Sequence, residues 1–492
     1  MIHSKKEKIF ENLFLIFLFS FFVTGLILFL LFGYNIFGSK RGFVLSASFI
    51  VVLFLTIISL FFSLKDFCLL YIVTLPFFLR LNVTRFYFEI FSIKFHPITL
   101  SVIFFILVGL TKIFIEGKFP KKSDIKDFLL NFSFLFMLTG GIVSSLLTES
   151  VVGGDRVVSF FSAIFAFLIP FFLFFIFSNT FRSLEEIKKI LIFFLLSFFL
   201  NTISGFLNIL TKFDLFELFL NRASFNFIGP NVYAATSLIF IPLTFYFLNE
   251  EKGNKKILFF IFFIFINLSL LMTISRGGLL SLVLIYILFF ILVKDFRKNV
   301  AILFYISGGI GALTFGLLFN VISRFFNIFT RAKVTEFSTL IRVNAWKLSL
   351  EQIPQNPLGI GGNQFPKLWR NFGAFPEQLV LHSHNLMLGL TIEYGIIAII
   401  GFLFLNGYLL YSLFNLFLRS SGTLKKLSIT FFISILSFFF MGTVSEGPRA
   451  HLNNERFLTN DPLIIYYIFL GIVYSFLKVV KYEKESSDNS TT

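Results

Sequence analysis

The sequence predicts an all-α polytopic membrane protein of twelve to fourteen transmembrane helices, and three observations carry that expectation. Only 14% of the 492 residues are charged, against 57% hydrophobic, where a soluble domain is about 25% charged. The mean hydropathy is +0.89, and the apolar residues fall in runs long enough to cross a bilayer, roughly 20 residues each. The net charge of +16 sits in short loops between those runs, where the positive-inside rule expects it. A water-soluble enzyme and a nucleic-acid-binding protein are both excluded, and the lipid bilayer is the expected partner. The 82 phenylalanines are read as filler of lipid-facing positions. The single Cys68 lies in an apolar run, which leaves neither a disulfide framework nor a thiol metal site. The basic N-terminus precedes an apolar stretch too long for a cleavable signal peptide and lacks a small-residue cleavage pattern.

At one crossing per apolar run, spans are expected near 13–33, 43–63, 67–79, 97–115, 127–148, 157–178 and 190–210, then at 231–248, 257–274, 279–293, 300–320, 385–417, 427–443 and 462–478. The stretch 67–79 is short enough to be a half-crossing. Pro76 and Pro170 fall in or beside spans, which a bundle tolerates when neighbours satisfy the freed backbone. The basic loops orient the chain: Lys118, Lys121 and Lys122, Lys252, Lys255 and Lys256, Arg419, Lys425 and Lys426, and Lys478 and Lys481 all fall inside if the N-terminus is cytoplasmic. The chain divides into an N-terminal transmembrane bundle (1–320), one large outer loop with short helices (321–384), C-terminal transmembrane helices (385–480) and a disordered cytoplasmic tail (481–492). Within the loop, helical spacing is expected over Phe337–Gln352, with Leu340, Val343, Trp346 and Leu350 as its apolar stripe. Pro354, Pro357 and the run from Gly359 to Asn363 then break it.

Almost nothing ionisable lies inside the spans except Glu393, which argues against a proton-driven transporter. Polar chemistry concentrates instead in four clusters on the outer side. The first runs from Asn221 and Arg222 to Gly229-Pro230-Asn231, a turn followed by a helix whose N-cap is expected at Asn231. The second is Ser275-Arg276-Gly277-Gly278, read as a tight turn whose glycines admit a ligand or another backbone. The third is Arg342 on the loop helix. The fourth is His382-Ser383-His384-Asn385, entering a span. His-x-His without a third ligand makes a metal site unexpected, whereas a neutral imidazole at a membrane–water boundary suits a general base. Arginine forks match phosphate oxygens. Three arginines and a histidine on one side of an apolar bundle therefore fit a lipid diphosphate with its tails in the bilayer.

These residues resemble those of the O-antigen ligase and O-antigen polymerase superfamily. The resemblance rests on Arg222 with Gly229-Pro230-Asn231, on Ser275-Arg276-Gly277-Gly278-Leu279-Leu280, on the run from Pro357 to Phe365, and above all on His384-Asn385 followed by Gly395-Ile396-Ile397. It covers roughly residues 215–400 and resembles the ligases most. It implies a C-type glycosyltransferase bundle in the bacterial inner membrane with its active site facing the periplasm. The donor would be a glycan on undecaprenyl diphosphate and the acceptor a lipid A-core sugar hydroxyl. By resemblance the reaction is inverting and metal-independent, and no cofactor is implied. Arg222 and Arg276 would hold the leaving diphosphate and His384 would be the base. Arg342, His382, Asn385, Gly229 and Asn231 would contact substrate. The rivals are a repeat-unit polymerase, whose acceptor is another glycan, a protein O-oligosaccharyltransferase, and, from a different class, a lipid-linked-oligosaccharide flippase. A flippase would want cations along a path through the bundle rather than at one rim.

The orientation is testable by labelling. A cysteine at position 370 should react with an impermeant reagent from the outer side and one at position 253 should not; the reverse pattern would place the clusters on the wrong side.

Overall fold

A backbone in lipid has to satisfy its own hydrogen bonds, so each apolar run closes into a helix. The structure, a computed structural model, describes residues 62–83, 88–90, 93–95, 97–116, 125–210, 223–225, 227, 229–297, 301, 336–377, 380, 382–444, 451–452, 457–459 and 461–489. Its helices are α1 (Leu64–Val83), α2 (Pro97–Ile115), α3 (Ile125–Val152), α4 (Arg156–Ala163), α5 (Ile169–Thr180), α6 (Leu184–Leu210) and α7 (Pro230–Glu250). They continue with α8 (Gly253–Met272), α9 (Arg276–Leu292), α10 (Glu336–Gln352), α11 (Phe365–Phe372), α12 (Leu386–Arg419), α13 (Gly422–Val444) and α14 (Asp461–Asn489). Among the described residues, eight helical stretches are long and apolar enough to cross a membrane, and two shorter apolar ones, Ser101–Ile115 and Arg276–Leu292, accompany them. The chain is an all-α polytopic membrane protein. The expected span at 13–33, nearly all of 43–63, and all of 300–320 except residue 301 lie outside the described residues.

Several elements differ from expectation. The short span at 67–79 is a full helix of 20 residues, α1, with Pro76 inside it. The span expected near 157–178 is present as Arg156–Thr180, within which a π-helical stretch, Ile164–Leu168, joins α4 to α5 just before Pro170. Pro170 cannot donate to the preceding turn, and the hydrogen-bond ladder shifts register just before it, where Ile169 N–H bonds Ile164 O. Four strands of two or three residues form a small sheet, β1 (Phe88–Ile90), β2 (Ile93–Phe95), β3 (His451–Leu452) and β4 (Phe457–Thr459), in the order β1-β2-β4-β3. Only the β2–β4 pairing is parallel. Helix α14 continues through Asn489, into the segment read as a tail.

The bundle is organised around α7, whose residues 231–248 are all buried. A helix apolar on every face belongs in the middle of a bundle. Helices α8, α13 and α14 pack on it. Because lipid is as apolar as leucine, close packing rather than expulsion of water holds such helices together, and small residues allow it. A Cβ at Gly140 of α3 would lie 2.7 Å from the backbone nitrogen of Ala398, and one at Gly401 of α12 would lie 2.4 Å from the carbonyl oxygen of Ser133. The α3–α12 pair is thereby drawn together along two turns.

Polar contacts mark two opposite rims. On the basic rim, Lys426 at the start of α13 bridges Glu250 of α7 at 2.9 Å and Asp295 beyond α9 at 3.3 Å. On the same rim Lys65 of α1 pairs with Glu186 of α6 at 3.0 Å, and Lys478 of α14 donates to Asn179 of α5 at 3.0 Å. The opposite rim holds the starts of α7, α9 and α12 with the loop helices α10 and α11. These contacts position the candidate site.

Candidate functional site

The site is built on a break in α12. Gly395 has φ 82° and ψ 174°, so the helix loses its register there. In an unbroken helix the Ile396 N–H would bond the Ile392 carbonyl. Here the loop after α10 is spliced into that bond: Ile396 N donates to Pro357 O at 2.8 Å, and Ile360 N donates to Ile392 O at 2.9 Å. Gly361 N takes up the next carbonyl, that of Glu393, at 2.9 Å. Each group left unmade would cost about 1–3 kcal/mol, so the loop and the break require each other. The glycines are needed for contact. A Cβ on Gly395 would sit 2.5 Å from the Leu358 carbonyl carbon, and one on Gly359 (φ 91°) 2.7 Å from both Glu393 O and Gly395 N. Tyr394, just before the break, is anchored by a 2.8 Å hydrogen bond to Ser162 of α4.

The turns above the break carry the histidines. Asn385 is the N-cap of α12: its Oδ1 accepts from Leu388 N at 3.0 Å, and its Nδ2 donates to Thr443 O at the end of α13, 2.8 Å away. His384 immediately precedes it in the left-handed region, φ 54°. The rings of His382 and His384 abut, with centroids 4.3 Å apart. His382 is buried, whereas His384 is half-buried and reaches the rim.

Arg276 is not in a turn, as expected, but opens α9. Ser275 is the N-cap and accepts from Gly278 N at 3.3 Å, so Arg276, Gly277 and Gly278 form the first helical turn. The reason is the preceding loop, in which Ile274 takes φ 50° and its N–H bonds Leu271 O, so that the chain has reversed before Ser275. A cation at a helix N-terminus is set against the helix dipole. An anion there is favoured by both the backbone amides and the guanidinium. Half-buried Arg276 thus marks a place suited to phosphate.

The first cluster is only partly described, and Arg222 lies outside the described residues. The N-cap of α7 is Gly229, with Pro230 next; the expected cap, Asn231, is buried within the first turn instead. Proline at the first helical position displaces the cap by two residues. Gly229 is extended and a Cβ there would meet nothing within 4 Å. Ala223 N donates to Met272 O at 3.1 Å, which ties this segment to the Arg276 loop.

Helix α10 forms where expected, but its buried face does not match. Leu340, Val343 and Leu350 are exposed, while Ala345, Leu348 and Ser349 are buried. The helix docks through Ile341, Ala345, Leu348 and Ser349, a face turned away from the expected stripe. Arg342, half-buried, lies one turn before Ala345 at the edge of that docked face. Ala345, Leu348, Ile360, Trp369 and Ile392 belong to a second core, separate from that of the bundle. This core joins α10, α11 and α12.

One feature unites the clusters. Among the described residues, the non-glycine residues with positive φ are Phe225, Ile274, Asn363 and His384. One falls in the segment before α7, one in the Arg276 loop, one in the loop spliced to α12, and one is the histidine itself. Such conformations cost about 1–3 kcal/mol each and persist where surrounding structure holds them, most often at functional sites.

Residues 259–403 match the family model described as O-antigen ligase. That segment runs from α8 past the break in α12, and so contains Arg276, Arg342, His382 and His384. The matched segment is thus similar to the O-antigen ligases, and the match supports a membrane glycosyltransferase of the ligase and polymerase type. No curated protein matches the chain.

The splice predicts opposite outcomes for two glycines of one helix. Gly395→Ala should lower stability in detergent by at least the 1–3 kcal/mol of an overpacked site, read as a fall in thermal midpoint. Gly407→Ala, where a Cβ meets nothing within 4 Å, should be neutral or stabilise by up to about 1 kcal/mol. Equal effects would show that the loop contact holds nothing.

Proposed function

We propose that this protein is an O-antigen ligase-type transferase, which moves a glycan from undecaprenyl diphosphate to a lipid A-core sugar hydroxyl at the periplasmic face of the bacterial inner membrane. The observation that carries the reading is His384. It is held in a strained conformation by the capped start of a broken helix, on the rim where Arg276 opens α9. In this mechanism His384 takes the proton of the acceptor hydroxyl. The acceptor oxygen bonds to the anomeric carbon from the face opposite the diphosphate, and the bond from that carbon to the phosphate oxygen breaks, giving inversion. Arg276, with Arg222, takes up the charge that grows on the departing diphosphate. The two arginines do the neutralisation that a divalent ion performs elsewhere, so no metal is required. Arg342 would extend the phosphate pocket. His382, Asn385, Gly229 and Asn231 line its surroundings, with His382 packed against the base as support.

The deciding experiment gives the purified protein a lipid-linked glycan together with a lipid A-core acceptor. Glycan on the lipid A-core supports the ligase; lengthened lipid-linked glycan would identify a polymerase. In single-turnover transfer at saturating donor, His384→Ala should lose about 10²–10⁴-fold while donor binding persists, and His382→Ala should lose much less. The reverse ranking would assign the base to His382.

Arg276→Ala should cost on the order of 2.7–4 kcal/mol of transition-state stabilisation, seen as a fall in turnover with helix content unchanged. Lysine should rescue poorly, because a point charge does not reproduce the bidentate fork. Full activity in Arg276→Ala would reduce this residue to an interfacial anchor.

Transfer should also survive exhaustive chelation, and a requirement for added magnesium or manganese would overturn the metal-independent mechanism.

A further inference from the structure

The chain has two tryptophans, Trp346 on α10 and Trp369 on α11, and the structure treats their indole N–H groups differently. Trp369 is fully buried in the second core, and its Nε1 donates to Phe375 O at 2.9 Å. A buried indole ordinarily finds such a partner. Trp346 belongs to neither core. It is half-buried, its Nε1 is shut off from solvent, and that N–H has no acceptor. One turn earlier, Arg342 is half-buried and has no hydrogen-bond or ion-pair partner among the described residues. Residues four apart on a helix are neighbours on one face, with Cβ atoms about 5–6 Å apart. Helix α10 therefore sets two unused donors side by side. Its next cation, Lys347, behaves as an ordinary surface charge, 72% exposed and 3.8 Å from Glu351.

Both groups donate and neither accepts: the guanidinium offers five N–H bonds and the indole one. A buried donor left without a partner is destabilising, and native structures hold few of them. An oxyanion satisfies both groups at once, because it accepts from the indole and pairs with the guanidinium. A neutral sugar hydroxyl would leave the guanidinium charge unanswered. The placement ties the pair to the candidate site. Ala345, between the two residues in sequence, shares the second core with Ile392, which lies between His384 and the break in α12. The loop that follows α10 is the one spliced onto that break. We propose that Trp346 is a further substrate-binding residue, whose indole N–H joins Arg342 in holding a phosphate group of a lipid substrate. The inference rests on the reading of this rim as a site for phosphate-bearing lipids. The diphosphate of the donor and a phosphate carried by the lipid acceptor offer the same chemistry.

With only two tryptophans in the chain, intrinsic fluorescence of the full-length protein in detergent reads the site directly. The probes are geranylgeranyl diphosphate for the donor and bisphosphorylated lipid A for the acceptor. The wild type and Trp369→Phe should show a saturable emission change with at least one of them, and the responding probe assigns the phosphate to donor or acceptor. Geranylgeraniol, which has the same tail as the first probe and no phosphate, should produce none. Trp346→Phe should lose the emission change and bind the responding probe about tenfold more weakly, measured by native mass spectrometry. Replacing Trp346 with 3-benzothienylalanine keeps the bicyclic ring and removes only the N–H. That variant should bind equally weakly, with the thermal midpoint of the ligand-free protein unchanged or raised, since it deletes an unpaired donor. Arg342→Gln should also weaken binding, and the double variant should lose less than the product of the two single losses, because both donors hold one group. Lys347→Gln removes the same charge from the exposed side of α10 and should change binding less than about threefold. An equal loss in Lys347→Gln, an equal response to geranylgeraniol, or unchanged binding in the benzothienylalanine variant would overturn the proposal. Binding that depends on Trp346 in a protein that transfers no glycan would uphold this site and retire the transferase reading, so the two fail separately.

Discussion

The rest of the site depends on one exchange of backbone hydrogen bonds. A helix broken inside a membrane protein has to find new partners for the groups it frees, because lipid offers none. Here the break at Gly395 and the loop from Pro357 to Gly361 complete each other, with the loop taking both ends of the bond that the helix gives up. Neither segment is satisfied alone. The upper part of α12, which carries Asn385 and His384 at its start, is therefore aimed by a loop that precedes it in the chain.

That loop also leads directly from α10, the helix of Arg342, into α11. The second core made by Ala345, Leu348, Ile360, Trp369 and Ile392 joins these helices to α12. Arg342 and the histidines are thus parts of one packed unit on top of the bundle. The Arg276 loop is tied to the segment before α7 by the Ala223–Met272 hydrogen bond, and Gly278 presses on Ala234 at the start of α7. A site assembled from four separate stretches gains its precision from this framework. The left-handed residue in each stretch is where the framework overrides local preference.

Polarity is divided between the two rims. The basic rim is stapled by ion pairs such as Lys426 with Glu250 and Asp295, which join α7, α9 and α13. On the opposite rim, backbone and capping hydrogen bonds such as Ala223 N to Met272 O and Leu388 N to Asn385 Oδ1 tie the loops to the helix starts. Between the rims, glycine contacts such as Gly140 on Ala398 bring helices into van der Waals range. The bilayer level carries packing and the rims carry charge.

The sequence by itself determined the membrane class, most of the described spans and the four polar clusters. Each of these is a local property: a run of about 20 apolar residues closes into a helix whatever surrounds it, and charged loops declare themselves by composition. It also located the start of α12 at Asn385, because an N-cap is a local hydrogen bond. The tertiary structure alone decided the rest. Hydropathy does not separate a lipid-facing side chain from a packed one, so the central place of α7 was not visible in its composition. Of the expected stripe of Leu340, Val343, Trp346 and Leu350 on α10, only Trp346 is even half-buried, because the second core takes the face of Ile341, Ala345 and Leu348 instead. The short strands pair segments more than 350 residues apart, and the run from Gly359 to Gly362 read only as a helix breaker. Its role as the partner of Gly395 lies in backbone groups that every residue shares, and so it appears only once the two segments meet.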